Sequence, residues 1–200
     1  GVQWTYGGDV SPATTSLPAE VAYQSGNGLA LVDTMTSSID GYTTMRLCVT
    51  LAEGQSNVYA IYSNADAMMS IPPAYQVASP FGSHFGGVSP AFFASTPDAE
   101  FDSWITVGIV GGDASEDVSS VGIDYESWDE DTPLDVEAPP LGGSVFWLSP
   151  ADGPGGADPI VLAQLTVPAE SAGIVTMGVQ GLSMDGEDYH GGVQWTYGGD

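Results

Sequence analysis

The sequence contains no lysine and one arginine, Arg46, against 26 aspartates and glutamates, for a formal net charge of −25. Phosphate backbones are held by clustered Lys and Arg, so nucleic acid is excluded as a partner class. Anionic membrane surfaces are excluded by the same argument. Surface ion pairs cannot hold the fold together either, because only one cation is available. A chain this acidic repels itself unless salt, divalent cations or a glycan coat screen it. That requirement points to an extracellular, cell-surface or high-salt setting.

Other residue types are scarce as well. Cys48 is the one cysteine, so no intrachain disulfide can form and the fold depends on its core. It reads as a small buried hydrophobe. No apolar run is long enough for a membrane-spanning helix, so membrane insertion is not expected. The opening residues show no basic stretch followed by an apolar one, and no signal peptide is expected within them. Asn27, Asn57 and Asn64 all lack the following Ser/Thr of an N-glycosylation site. The histidines are His84 and His190 only. There is no nucleophile elbow and no His/Cys metal-ligand spacing, so the chain is not expected to be an enzyme. His84, between Phe81 and Phe85, reads as part of a packed loop, and His190 as a linker residue.

What is present is dominated by a repeat. Residues 1–9 read Gly-Val-Gln-Trp-Thr-Tyr-Gly-Gly-Asp, and residues 192–200 repeat them nine for nine at an offset of 191. Three origins fit: one period of a tandem array, a recurring strand between different domains, or a duplication introduced in assembling the sequence. Within the nonapeptide, Val2-Gln3-Trp4-Thr5-Tyr6 alternates as a strand does and Gly7-Gly8-Asp9 breaks it. On the array reading, 1–9 is a joining strand, 10–191 is a single module and 192–200 opens the next module. The junction residues would then be Val2, Trp4, Tyr6 and their copies Val193, Trp195 and Tyr197. A strand that completes a neighbour's sheet also hides an exposed edge.

Between the copies, 27 glycines and 14 prolines leave no room for long helices. Strands are expected over 29–33, 42–51, 57–62, 104–110, 118–124, 144–148, 160–167 and 173–179. In the second of these, Met45, Leu47, Val49 and Leu51 alternate with Thr44, Arg46, Cys48 and Thr50. A turn at 53–56 predicts a hairpin of 42–51 with 57–62. Residues 65–97, rich in Met, Phe, Pro and Gly, read as an irregular excursion that covers a sheet face or a neighbouring module. The expected fold is all-β: an antiparallel sandwich or jelly-roll-like module with long irregular loops, its terminal strand shared or exchanged with the adjacent module.

The acidic loops around 98–102, 113–135 and 185–188 make calcium the one cofactor the sequence admits. Asp113, Asp117 and Asp185 are the candidate ligands, although no EF-hand or β-roll spacing is present, and a solvated acidic face explains the same residues. Arg46, as the sole cation, is expected in an ion pair with a nearby carboxylate. Trp104, Trp128 and Trp147 read as core.

Four segments carry a family resemblance. They are Gly41-Tyr42-Thr43-Thr44-Met45-Arg46-Leu47, Pro97-Asp98-Ala99-Glu100-Phe101-Asp102-Ser103-Trp104-Ile105-Thr106-Val107-Gly108, Val145-Phe146-Trp147, and Ala163-Gln164-Leu165-Thr166-Val167-Pro168. Together they resemble a poorly characterised group of secreted β-sandwich modules of aquatic microalgae and bacteria. The resemblance implies a structural or surface role and transfers no catalytic residues. The functional expectation is a subunit of an extracellular fibre, filament or surface coat whose main partner is itself. The alternative is a carbohydrate-binding or adhesion module, calcium-dependent, with glycans as partners.

Overall fold

A computed structural model describes residues 28–112, 117–136 and 142–199 of the chain. Among these residues, eleven strands form two antiparallel sheets packed face to face as a β-sandwich. The first sheet runs in the order β1 (Ala30–Met35), β2 (Tyr42–Val49), β9 (Ile160–Pro168), β5 (Trp104–Ile105). The second contains β3 (Ala60–Tyr62), β4 (Met69–Ile71), β6 (Val118–Val121), β7 (Leu134–Val136), β8 (Ser144–Trp147), β10 (Gly173–Leu182) and β11 (Asp188–Tyr197). β10 is its hub. β11 pairs along the full length of β10, while β3 and β4 share the opposite edge of β10 and lead to β8–β6 and to β7.

Alternating side chains build the core between the sheets. Met45, Leu47 and Val49 of β2 meet Val175, Met177 and Val179 of β10 in one buried cluster with Ile61, Ile71, Val145 and Leu165. Burying this apolar surface is the main stabilising term available to a chain without disulfides or ion-pair networks.

The outer face of the first sheet is also covered. Residues 72–103 fold over it as an irregular third layer, the sheet-covering option for the 65–97 excursion. Trp104, Val88 and Ala99 form a second buried cluster there, with Val77, Phe93, Val110 and Val161 packed against it. Gln164 donates from Nε2 to the carbonyls of Glu100 and Asp102 at 2.9 Å each. The Thr166 hydroxyl donates to the Phe101 carbonyl at 2.5 Å and lies 2.7 Å from the Thr44 hydroxyl. The fully buried Asp102 carboxylate accepts from the backbone N–H groups of Val77 (2.7 Å) and Ser83 (2.6 Å), which fastens the excursion to the turn before β5.

Two expectations differ from this architecture. Residues 42–51 and 57–62 do not form a hairpin, because β2 belongs to the first sheet and β3 to the second. After Leu51 the chain crosses the sandwich, and Ser56 and Tyr59 bond to β10 carbonyls instead of to β2. The strand expected over 104–110 stops at Ile105, because Gly108 takes φ +80° and Thr106 bonds both to and from Ile109 in a tight turn.

Candidate assembly edge

The turn between β10 and β11 is made locally. Ser183 donates from its hydroxyl to Asp185 Oδ1 (2.5 Å), its N–H bonds to the Glu187 carbonyl (2.9 Å), and Gly186 supplies φ +86°. The Ser183 bond holds the Asp185 carboxyl below its ordinary range. The chain then returns antiparallel from Leu182↔Asp188 to Gly173↔Tyr197.

The closing copy of the nonapeptide therefore supplies most of β11, and the expected division at 191/192 falls inside that strand. Val193, Trp195 and Tyr197 come together on its inner face at 3%, 1% and 7% exposure, so they complete the core of their own module. The Trp195 indole N–H donates to the Cys48 carbonyl across the sandwich at 2.9 Å. That carbonyl lies beside the irregularity in β2–β9 pairing between Leu47 and Cys48. Val2, Trp4 and Tyr6, the equivalent residues of the opening copy, lie outside the described residues.

β10 was built to take large partners. Gly173 faces Tyr197, Gly181 faces Tyr189 and Gly178 faces Tyr62 in register, each glycine lying under a tyrosine ring. A Cβ at these glycines would stand 2.7, 2.5 and 2.4 Å from the nearest tyrosine atom. Rings laid over cross-strand glycines restore packing that the glycines alone lack, and they fix register. Tyr189 also donates to the Asn57 carbonyl at 2.6 Å, and burial pushes its hydroxyl up to about 12.

The direction of β10 backbone bonds defines the outer edge. Gln180 and Leu182 offer their carbonyls to Tyr59 (2.9 Å) and Ser56 (2.7 Å), away from β11. Odd-numbered residues of β10 thus bond toward β11, and in the observed register the odd-numbered residues of β11 bond back. His190, Gly192, Gln194 and Thr196 turn their backbone N–H and C=O groups to the other side. Among the described residues no strand pairs there, although β1, the edge strand of the first sheet, runs close by. β11 carries no proline or lysine to block strand addition. His190, expected in a linker, is an exposed residue of this strand.

The remaining sequence candidates are dispersed. Asp117 is exposed before β6, where its carbonyl accepts from Leu148, and Asp185 serves the β10–β11 turn. Asp113 lies outside the described residues, and among those described no three His, Cys, Asp or Glu side chains are grouped to hold a metal ion. Arg46 donates from Nε to Gln164 Oε1 at 3.1 Å and lies 6.0 Å from the Trp104 ring centroid. Among the described residues, this carboxamide and this aromatic face are its partners in place of the expected carboxylate. Burial pushes the Cys48 thiol up to about 11; the Asp33 carboxylate adds to this and Arg46 opposes it. His84 stacks on Tyr125 with ring centroids 5.5 Å apart, and burial lowers its pKa against the pull of Glu126.

No family model matches the chain, and neither a curated protein nor a solved structure matches it.

The reach of β11 beyond the repeated segment was available in the sequence. Asp185-Gly186 is a hairpin-turn dipeptide. As the last two residues of a three-residue loop, Met184-Asp185-Gly186, it pairs Tyr189 with Gly181 and Tyr197 with Gly173, whereas a two-residue loop would shift the register by one. Counted only as members of an acidic cluster, these residues conceal the turn.

Proposed function

We propose that the chain is a structural unit of an extracellular fibre, filament or surface coat, in which like modules are joined through the repeated strand. The observation that carries this reading is the use made of the closing nonapeptide. Its apolar side chains complete a core, and the backbone of the same strand keeps alternate hydrogen-bonding groups turned outward. A segment that occurs twice and is spent on a long edge strand is suited to joining copies of one chain.

The charge fits this role. A net charge of −25 keeps separate assemblies apart and soluble, and it is tolerable where salt or divalent cations screen it. The resemblance to secreted β-modules points to the same location. In this reading the chain is its own partner, performs no catalysis and needs no cofactor, and calcium acts as a screening counter-ion.

The test is negative-stain electron microscopy of the purified chain, concentrated in buffers from low to molar salt. Filaments, or sheets with a constant repeat, are expected once the charge is screened. A chain that stays a 20.6 kDa monomer under all these conditions would overturn the proposal.

A further inference from the structure

We infer that the slot now filled by residues 193–197, between β10 and the rim of β1, is an acceptor site for residues 2–6 of a second copy of this chain. This inference rests on the assembly reading and specifies its joint as strand exchange, not addition outside β11. The slot is demanding. It has a cavity for an indole with the Cys48 carbonyl at its end, a bare glycine at 173 for a tyrosine ring, and a place opposite Met177 for a valine. Within the 200 residues only one other segment meets these demands in order, and it does so without a single difference.

The offset of 191 fixes the register of the exchanged strand. Val2 would lie opposite Met177, Gln3 opposite Thr176, Trp4 opposite Val175, Thr5 opposite Ile174 and Tyr6 opposite Gly173. The Trp4 indole would donate to the Cys48 carbonyl, and the Tyr6 ring would lie over Gly173. Because resident and donor strands are chemically the same, exchange changes connectivity and leaves the contacts unchanged. Residues 10–27 separate the donor strand from the first described residue, and eighteen residues can span at most about 60 Å. That exceeds the ~40 Å width of a module of this size, so two modules can be joined without collision. The resident strand holds the advantage of a short tether, so exchange grows with concentration and with any weakening of residues 193–197.

Cysteine cross-linking between full-length chains tests this. Ile174 is half-exposed and faces Thr196 in a pair whose backbones do not bond to each other, the closer type of cross-strand pair. One chain carries Ile174→Cys and a second carries Thr5→Cys; they are mixed at high concentration, oxidised mildly and mapped by mass spectrometry. Cys48, buried in both, serves as the internal control. The expected product is a 5–174 disulfide between chains. Its yield should rise about tenfold when the acceptor also carries Trp195→Phe, which deletes one hydrogen bond and retains an aromatic ring. Circular dichroism confirms that this variant is folded, and the unaltered background supplies the result if it is not. Oligomers or filaments that form without a 5–174 link would overturn the exchange and leave the assembly reading standing. A chain carrying both cysteines supplies a further control, and a link that forms within it but never between the mixed chains would also overturn the exchange. Absence of both oligomers and link would overturn the two together.

Discussion

Asp102 shows what one buried residue can do in a chain with 26 carboxylates. Burial pushes its pKa up to about 6, even though the N–H groups of Val77, Ser83 and Ser103 favour the charged form. The folded protein therefore binds more protons than the unfolded chain between about pH 4 and pH 6. The contribution of this group to stability is complete below that window and is lost as pH rises through it. Urea unfolding at pH 4.5 and pH 7 should show the wild-type protein less stable at pH 7, with Asp102 accounting for on the order of 2 kcal/mol. Asp102→Asn should flatten that slope and lower stability at acid pH, because its amide nitrogen faces one of the two N–H donors. An unchanged slope in Asp102→Asn would refute the assignment. Trp195→Ala removes a buried indole and leaves the Cys48 carbonyl unpaired, so it should cost about 3–5 kcal/mol in the same assay. Neither role was readable as sequence. Asp98, Glu100 and Asp102 look like one acidic cluster, and nothing local marks the last of them as covered by the 76–84 loop.

At the scale of elements, strands bounded by turn residues were legible, β2 by its alternation and β8, β9 and β10 as apolar runs, and all four lie where the sequence pattern puts them. Partners were not legible, because alternation says which residues face inward and leaves open which sheet receives them. The hairpin expected between 42–51 and 57–62 failed for this reason. β4 and β7, with three residues each, are too short to carry a pattern, and what defines them is pairing between Met69–Ile71 and Leu134–Val136. The nonapeptide identified a strand correctly, yet its start at Asp188 depended on a turn read only as acidic. Within the β10–β11 pair, Gly181→Ala and Gly173→Ala make a comparison. A Cβ at 181 would stand 2.0 Å from the Asn57 carbonyl oxygen, which is backbone, whereas at 173 it meets the movable end of Tyr197 at 2.7 Å. Thermal unfolding should show Gly181→Ala destabilised by about 1–3 kcal/mol, and Gly173→Ala by clearly less. Equal losses would show that the register of the pair is not held as described.

For the whole molecule, charge is the term that solution conditions control. With one cation among 200 residues, repulsion is opposed only by screening. Raising sodium chloride from low to molar concentration should therefore raise the melting temperature by several degrees, about 2–4 °C for each kcal/mol of repulsion removed. Calcium chloride at matched ionic strength should add only its greater screening. A large, saturable gain at low calcium concentration would instead indicate a specific site, and would revive Asp113, Asp117 and Asp185 as candidates. The low-pH gain from Asp102 and the gain from salt have different causes: protonation relieves the desolvation of one buried carboxylate, and salt screens repulsion among the exposed ones.

The most direct measurement is the molar mass of the intact chain and of its Trp4→Asp variant, by light scattering across a thousandfold range of concentration in high salt. The described core is built with Val193, Trp195 and Tyr197 of the closing copy, and circular dichroism is expected to show both proteins folded. The mass of the wild-type chain should climb with concentration, while Trp4→Asp should stay near 20.6 kDa. Identical masses for the two proteins at every concentration would contradict the account.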